Sequence, residues 1–309
     1  FRRDACGLVQ ITSSPFIWLL VVAFLALVPA GVSAQDALLL ELHGPIDRFQ
    51  TVLVQRAVAR AQAEERSHLI IDIDTFGGRV DSALEIAGAL GSARDVTTVA
   101  YVGNSATGRG VSWSAGALIA FATNEIYLAP GTSIGAAAPV MQGPQGQEAA
   151  GEKTVSAVRG QMAALAERNG HPPEVARAMV DASVQLIAVE TDDGFQLLSL
   201  EAADALAERD TDAILSRETV SPEGKLLTLT AGEMERFGIS RGSPPTRSAL
   251  VEALDVTGFE TFESSGGDRL VAILTSSGMT SLLILAGLVA LFLEITSPGF
   301  GLPGAVALT

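Results

Sequence analysis

The stretch HLIIDIDTFGGRVDSALEIAGAL, residues 68–90, decides the fold. Its first seven residues are a short apolar run rich in isoleucine, which reads as a buried strand. From Val80 to Leu90 apolar side chains return at helical spacing, so the second half reads as a helix. Between the halves, Gly77 and Gly78 allow a tight turn that points backbone N–H groups into the crevice at the C-terminal end of the strand. Upstream, ALLLEL at 37–42 reads as a second buried strand, joined to the first by the helical pattern FQTVLVQRAVARAQAEE at 49–65. This is a β-α-β unit. Downstream come a strand at TTVAYV (97–102), a helix at 114–122, and strands at EIYLAP (125–130) and SIGAAAPV (133–140). Such alternation predicts an α/β fold with helices covering a largely parallel sheet. The Gly/Gln-rich link QGPQGQEAAGE (142–152) reads as a mobile loop, and the longest helical pattern comes next at 153–169, closed by Gly170 and HPP.

Composition narrows the function. The 309 residues suffice for a core without disulfide support. A formal charge of -15 argues against a nucleic-acid partner, because phosphate binding needs lysine and arginine in excess. The single cysteine, Cys6, offers neither a disulfide nor a zinc site, and no cofactor or metal is expected.

The two ends read as targeting and membrane segments. Arg2 and Arg3, an apolar stretch from Phe16 to Val28, and small residues at Val32 and Ala34 form the layout of a secretory signal, 1–34, with a retained anchor helix as the alternative. Either way, the domain from Gln35 onward is expected to be exported. A second apolar region, 279–295, crosses a bilayer if 270–274 extends it; the alternative is a buried core helix. The turn TSPGFGLPG then returns the chain to apolar sequence, as in a helical hairpin. The expected organisation is a signal at 1–34, one domain at 35–268 and the start of a transmembrane region at 269–309. Because the chain opens on Phe and ends inside an apolar run, it is expected to be a fragment lacking a C-terminal part.

The chemistry turns on GRGVSWSAGALIA, residues 108–120, where two serines precede a helix. A phosphate-loop reading of GNSATGRG fails, since Arg109 and Gly110 stand where the lysine and the Ser/Thr should be. A nucleophile elbow at Ser112 has Ser114 in place of the second glycine. The third reading takes Ser114, at a helix N-terminus whose dipole favours an anionic oxygen, with Ala115 and Gly116 leaving room for a substrate backbone. Its alternative is a plain N-cap. The three histidines, His43, His68 and His171, are scattered, and His171, in a helix-terminating turn, is expected at the surface.

Five stretches, DTFGGRVDSALEIA, SAGALIAFATNEIYLAPGTSIGAAAPV, EKTVSAVRGQMAALAERNGHPPEVARAMVD, GKLLTLTA and FLEITSPGFGLPG, together resemble the NfeD family of membrane-bound serine proteases, partners of stomatin-like proteins. The resemblance runs from about Asp36 to the end. It implies a Clp protease/crotonase-like spiral of β-β-α units followed by transmembrane helices, with Ser114 as nucleophile, Lys153 as base, the amides of Gly78 and Ala115 as oxyanion hole, and Gly77 shaping the turn. Phe76 stands where the family usually has proline, and Trp113 where a small residue is common, so both are expected to shape the substrate groove. Where Clp protease carries its histidine this chain has SIGAAAPV, which excludes a histidine triad.

A lysine works as a base only when neutral, so its surroundings must disfavour the ammonium. Lys153 lies at a predicted helix N-terminus, with AAPV and Val155 expected to keep water away; the alternative is a solvated surface lysine. The resemblance further implies an apolar substrate in a stomatin-like membrane partner and a homodimer, while Arg2 and Arg3 on the inner side place the domain on the outer side of the inner cell membrane if the host is a bacterium. Two other classes stay open: a non-enzymatic membrane scaffold for a stomatin-like protein, and a crotonase-type acyl-CoA enzyme.

Overall fold

The computed structural model describes residues 36–104, 109–143, 146–264, 266–267 and 277–296. The signal at 1–34, residues 105–108 of the phosphate-loop match and the extension at 270–274 lie outside them.

The β-α-β unit forms as the sequence indicates. Strand β1 (Ala37–His43) leads through helix α1 (Arg48–Ala63) to β2 (His68–Asp74), α2 (Val80–Gly91) and β3 (Thr97–Val102). Short β4 (Val111–Trp113) feeds α3 (Ala115–Phe121), followed by β5 (Glu125–Leu128), β6 (Ser133–Gly135), β7 (Val140–Gly143) and β8 (Gly146–Ala149). Then come α4 (Glu152–Asn169), α5 (Pro173–Val180), β9 (Leu186–Thr191), β10 (Gly194–Ser199), α6 (Leu200–Arg209), β11 (Ser216–Ser221), β12 (Thr228–Thr230), α7 (Ala231–Arg236), α8 (Arg247–Ala253), β13 (Phe259–Thr261) and α9 (Ser277–Thr296).

The main sheet is parallel, in the order β13-β1-β2-β3-β5. Successive side chains alternate faces. Leu38, Leu40, Leu42, Leu69, Ile71 and Ile73 join one buried core with residues of α1, α2 and α3; Leu39, Ile70, Val99 and Tyr101 join another with Leu250 and Leu254. Over these rows both faces are dry, which is why the strands read as largely apolar runs, while Glu41 further along β1 is exposed. A second sheet, β12-β6-β4, carries Ser112 and Trp113 up to α3, and Thr75 bridges to it through Ser112.

One expectation is corrected. The link at 142–152 is not simply a loop: β7 and β8 pair antiparallel, Val140 opposite Ala149 and Met141 opposite Glu148. The turn residues 144–145 lie outside the described ones. Beyond α5, the chain builds a sheet the periodicity did not disclose, β10-β9-β11, with α6 closing a small core of Ile187, Val189 and Ala203.

Among the described residues no helix is long and apolar enough to cross a membrane. Within α9 the stretch free of polar side chains runs from 282 to 293. It rises about 18 Å, against a hydrocarbon core of about 30 Å. Nor is α9 a buried core helix, for Leu282, Leu285, Leu288 and Phe292 are all exposed.

Candidate active site

Strand β2 delivers the Gly77–Gly78 turn, and β4 delivers Ser114, to one point at the C-terminal edge of the main sheet. Thr75 N–H donates to Val111 O at 2.8 Å, and Trp113 N–H to Thr75 O at 3.0 Å, so the two chains arrive side by side. Gly77 then lies directly against Ser114: a Cβ placed on it would stand 2.6 Å from Ser114 Cβ and 2.8 Å from its Oγ. The Ala115 backbone nitrogen is 3.5 Å from the same point. Ile46 forms a parallel bridge with Gly78, donating to Gly77 O at 3.0 Å and accepting from Arg79 N–H at 2.8 Å. That pairing turns Gly78's own N–H away from Ile46. Any side chain on Gly78 would collide with the Ile46 backbone.

Ser114 occupies the N-cap position of α3 but does not act as a cap. Its side chain makes no capping hydrogen bond, and its backbone sits at φ 54°, ψ -117°. A non-glycine residue at such angles costs on the order of 1–3 kcal/mol, strain that clusters at active sites and binding clamps. Its N–H is tied to Gly135 O at 2.9 Å, which fixes the strained geometry. Ser114 is half-buried, whereas Ser112 is fully buried within β4. The elbow reading of Ser112 therefore lacks solvent access.

Lys153 lies in the first turn of α4, which packs against α3. The dry surroundings expected from the sequence are not there: Lys153 is exposed, Val155 only half-buried. Ser114 and Lys153 are not joined by a hydrogen bond among the described residues. The reason is that α4 starts outside the core and buries only its later turns, at Val158, Met162, Leu165 and Ala166.

Phe76 and Trp113 meet, with ring centroids 5.4 Å apart. Trp113 donates its indole N–H to Ser133 Oγ at 2.9 Å, which orients the ring. Phe76 stays 56% exposed and carries the Arg109 guanidinium over its face at 5.4 Å. Sequence reasoning gives Arg109 no role once the phosphate-loop match fails. It also misses Thr75, whose hydroxyl donates to Gly44 O at 2.6 Å and receives Gly77 N–H at 2.9 Å, locking the glycine turn. The only sequence signal for Thr75 is its place beside the glycine pair.

His171 is not at the surface. It is 8% exposed, its Nε2 donates to Thr123 O at 2.8 Å, and it meets the Phe121 ring edge-on. Burial holds its pKa below the ordinary 6.5. The unfolded chain thus takes up a proton that the folded chain refuses, so stability is intact above the ordinary value and lost as pH falls below it. Between about pH 7.5 and about pH 5.5 the melting temperature of the native protein is expected to fall more steeply than that of His171→Gln. Equal slopes in the two calorimetric series would contradict this.

A family model described as NfeD1b, N-terminal domain, matches residues 39–213. The chain is 29% identical over 285 residues to Membrane protein NfeD1b of Bacillus subtilis (strain 168), a match covering 90% of this chain and 55% of that protein. It is 23% identical over 276 residues to Membrane-bound protease PH1510 of Pyrococcus horikoshii, covering 86% and 54%. The chain spans about half the length of these curated relatives. Among solved structures, a lysine-to-alanine mutant of the 1510-N membrane-bound stomatin-specific protease, in complex with a substrate peptide, gives a TM-score of 0.56 at 17% identity, over 79% of this chain and 99% of that one. A serine-to-alanine mutant of the same protease gives 0.54 at 17% identity, over 74% and 98%. The mixed α/β fold is thereby shared.

Proposed function

Because this chain belongs to the family of NfeD1b N-terminal domains, we propose that it is an exported, membrane-tethered serine endopeptidase that cuts apolar segments of a stomatin-like membrane partner. The observation that carries the reading is Ser114, strained and uncapped, with Gly77 pressed against it. In this mechanism Ser114 Oγ attacks a peptide carbonyl and the N–H groups of Gly78 and Ala115 hold the oxyanion. Lys153 takes the serine proton and later gives it to the leaving amine. Phe76 and Trp113 wall the groove. The two solved mutants of the 1510-N protease, one at a lysine and one at a serine, carry changes in the residue types of this dyad. Exposed apolar side chains of α9, among them Leu282, Leu285, Leu288 and Phe292, form the tether, and the domain works as a homodimer on the outer side of the inner membrane.

Lys153 has to be desolvated before it can act, and an apolar peptide laid between Ser114 and the start of α4 would do this. The exposure of Lys153 also favours a second reading, a scaffold that binds the partner without cutting it. A fluorophosphonate probe followed by mass spectrometry of the adduct separates the two. Labelling of Ser114 is expected; an unlabelled Ser114 in folded protein supports the scaffold.

The base has its own test. Lys153→Arg should be nearly as inactive as Lys153→Ala, because a guanidinium keeps its proton near neutrality. Lys153→His, whose imidazole titrates near neutrality, should recover part of the rate if its shorter reach meets Ser114. Substantial peptidase activity in Lys153→Arg would move the base elsewhere.

A further inference from the structure

We propose that Arg109 is a specificity-determining residue of the Ser114 groove, selecting a substrate whose apolar segment is bordered by a carboxylate. The inference rests on the reading of this groove as a peptide-binding site, but not on cleavage of the peptide.

The position follows from a chain of contacts that steps outward from the serine. Gly77 is pressed against Ser114, and its neighbour Phe76 meets Trp113 with ring centroids 5.4 Å apart. The Arg109 guanidinium lies over the Phe76 ring, 5.4 Å from its centroid. Arg109 therefore forms the outer layer of the aromatic wall, beyond Phe76 as seen from Ser114. Its side chain is 41% exposed, so a ligand in the groove can reach it.

The donors of Arg109 are unused. It forms an ion pair with Asp74, fully buried at the end of β2, but Nε stands 3.8 Å from Oδ2, too far for a hydrogen bond. Among the described residues the Arg109 side chain donates no hydrogen bond. Arg79, the next cation after the glycine turn, is the contrast: its Nε and Nη2 both donate to Asp81. A guanidinium over an aromatic face keeps its charge and its N–H groups, and a carboxylate accepts two of these side by side.

Charge decides how far this selection extends. Asp74 offsets much of the field of Arg109, so an anion is held by charge-assisted hydrogen bonds at contact and not by long-range attraction. The chain as a whole, at a formal charge of -15, repels acidic peptides. A glutamate is therefore favoured at the substrate position that meets Arg109 and disfavoured elsewhere. A neutral amide of the same shape loses the charge assistance.

The test is titration calorimetry at low salt on the full chain carrying Ser114→Ala, which cannot cut. The probes are apolar peptides with an amidated C-terminus, each holding one glutamate at a different position, and the matched glutamine series. At one position glutamate is expected to bind about five- to tenfold more tightly than glutamine, and at the others no better. The preference should shrink as salt is raised. Arg109→Gln in the same background should abolish it, and Arg109→Glu should make lysine the preferred residue at that position. Should Arg109→Gln fail to fold because Asp74 loses its cation, Arg109→Lys keeps one and is expected to retain only part of the preference, since an ammonium lacks the parallel pair of donors. Apolar peptides with a free C-terminal carboxylate separate a chain end from an acidic side chain; Arg109-dependent tightening by either supports the proposal and names the source. Absence of peptide binding, no gain from either carboxylate, or an Arg109→Gln protein that weakens the glutamate and glutamine series equally would overturn it. A native protein that binds the glutamate peptide with this preference yet leaves it uncut would overturn the peptidase reading and leave the Arg109 assignment standing.

Discussion

Ser114→Ala is expected to lower turnover of an apolar peptide by on the order of 10⁴- to 10⁶-fold, the range seen when a hydrolase loses its nucleophile or an assisting group. The fold should survive. Alanine keeps the Cβ, so the strained backbone at φ 54° is neither relieved nor worsened. The side chain makes no capping hydrogen bond, so α3 loses no cap. Ser112→Ala is the internal control. Its hydroxyl is fully buried in β4 with no partner among the described residues, so its removal should leave peptidase activity within a few-fold and stability unchanged or slightly raised. Steady-state kinetics with circular dichroism on both variants decide the matter. If Ser112→Ala is inactive and Ser114→Ala retains activity, the nucleophile has been misassigned.

The second large effect concerns the glycine turn, where two neighbouring substitutions should fail for different reasons. In Gly78→Ala the new methyl group meets the backbone of Ile46, which is held on both sides by hydrogen bonds to Gly77 and Arg79 and cannot rotate away. Overpacking of this kind costs about 1–3 kcal/mol, so the melting temperature should drop by several degrees. In Gly77→Ala the methyl group meets a side chain instead, 2.6 Å from Ser114 Cβ, on a backbone at φ 118° that L-residues rarely adopt. Ser114 must then shift, and a misplacement of about 1 Å at a reacting atom is enough for a loss of about 10²-fold. Peptidase activity of Gly77→Ala should therefore fall well beyond what its melting temperature explains. A Gly78→Ala protein as stable as the native one would show that the Ile46 pairing is not holding the turn.

By itself the sequence determined what is encoded locally. The apolar runs at 37–42 and 68–74 read as buried strands and 80–90 and 153–169 as helices, because side-chain period follows backbone geometry over a few residues, and the structure moves these bounds by one residue at most. Gly170, at φ 76°, closes α4 where a left-handed residue was expected. The convergence of a glycine turn and a serine-headed helix was legible too, since both follow strands of one α/β unit. Tertiary structure alone decided the environment of each polar group, because that depends on partners distant in the chain. The backbone of Ser114 is held at its strained angles by Gly135, 21 residues on, and His171 is bonded in its buried place by Thr123, 48 residues away. Strands β7 and β8 mix apolar residues, glutamines and glycines without a buried alternation, and such a stretch becomes a strand only when its partner is present. Lys153 is exposed because α4 enters the core one turn later than its first residue, which no local pattern specifies. Asp72 is buried at no charge penalty only because Arg247, 175 residues on, reaches one of its oxygens.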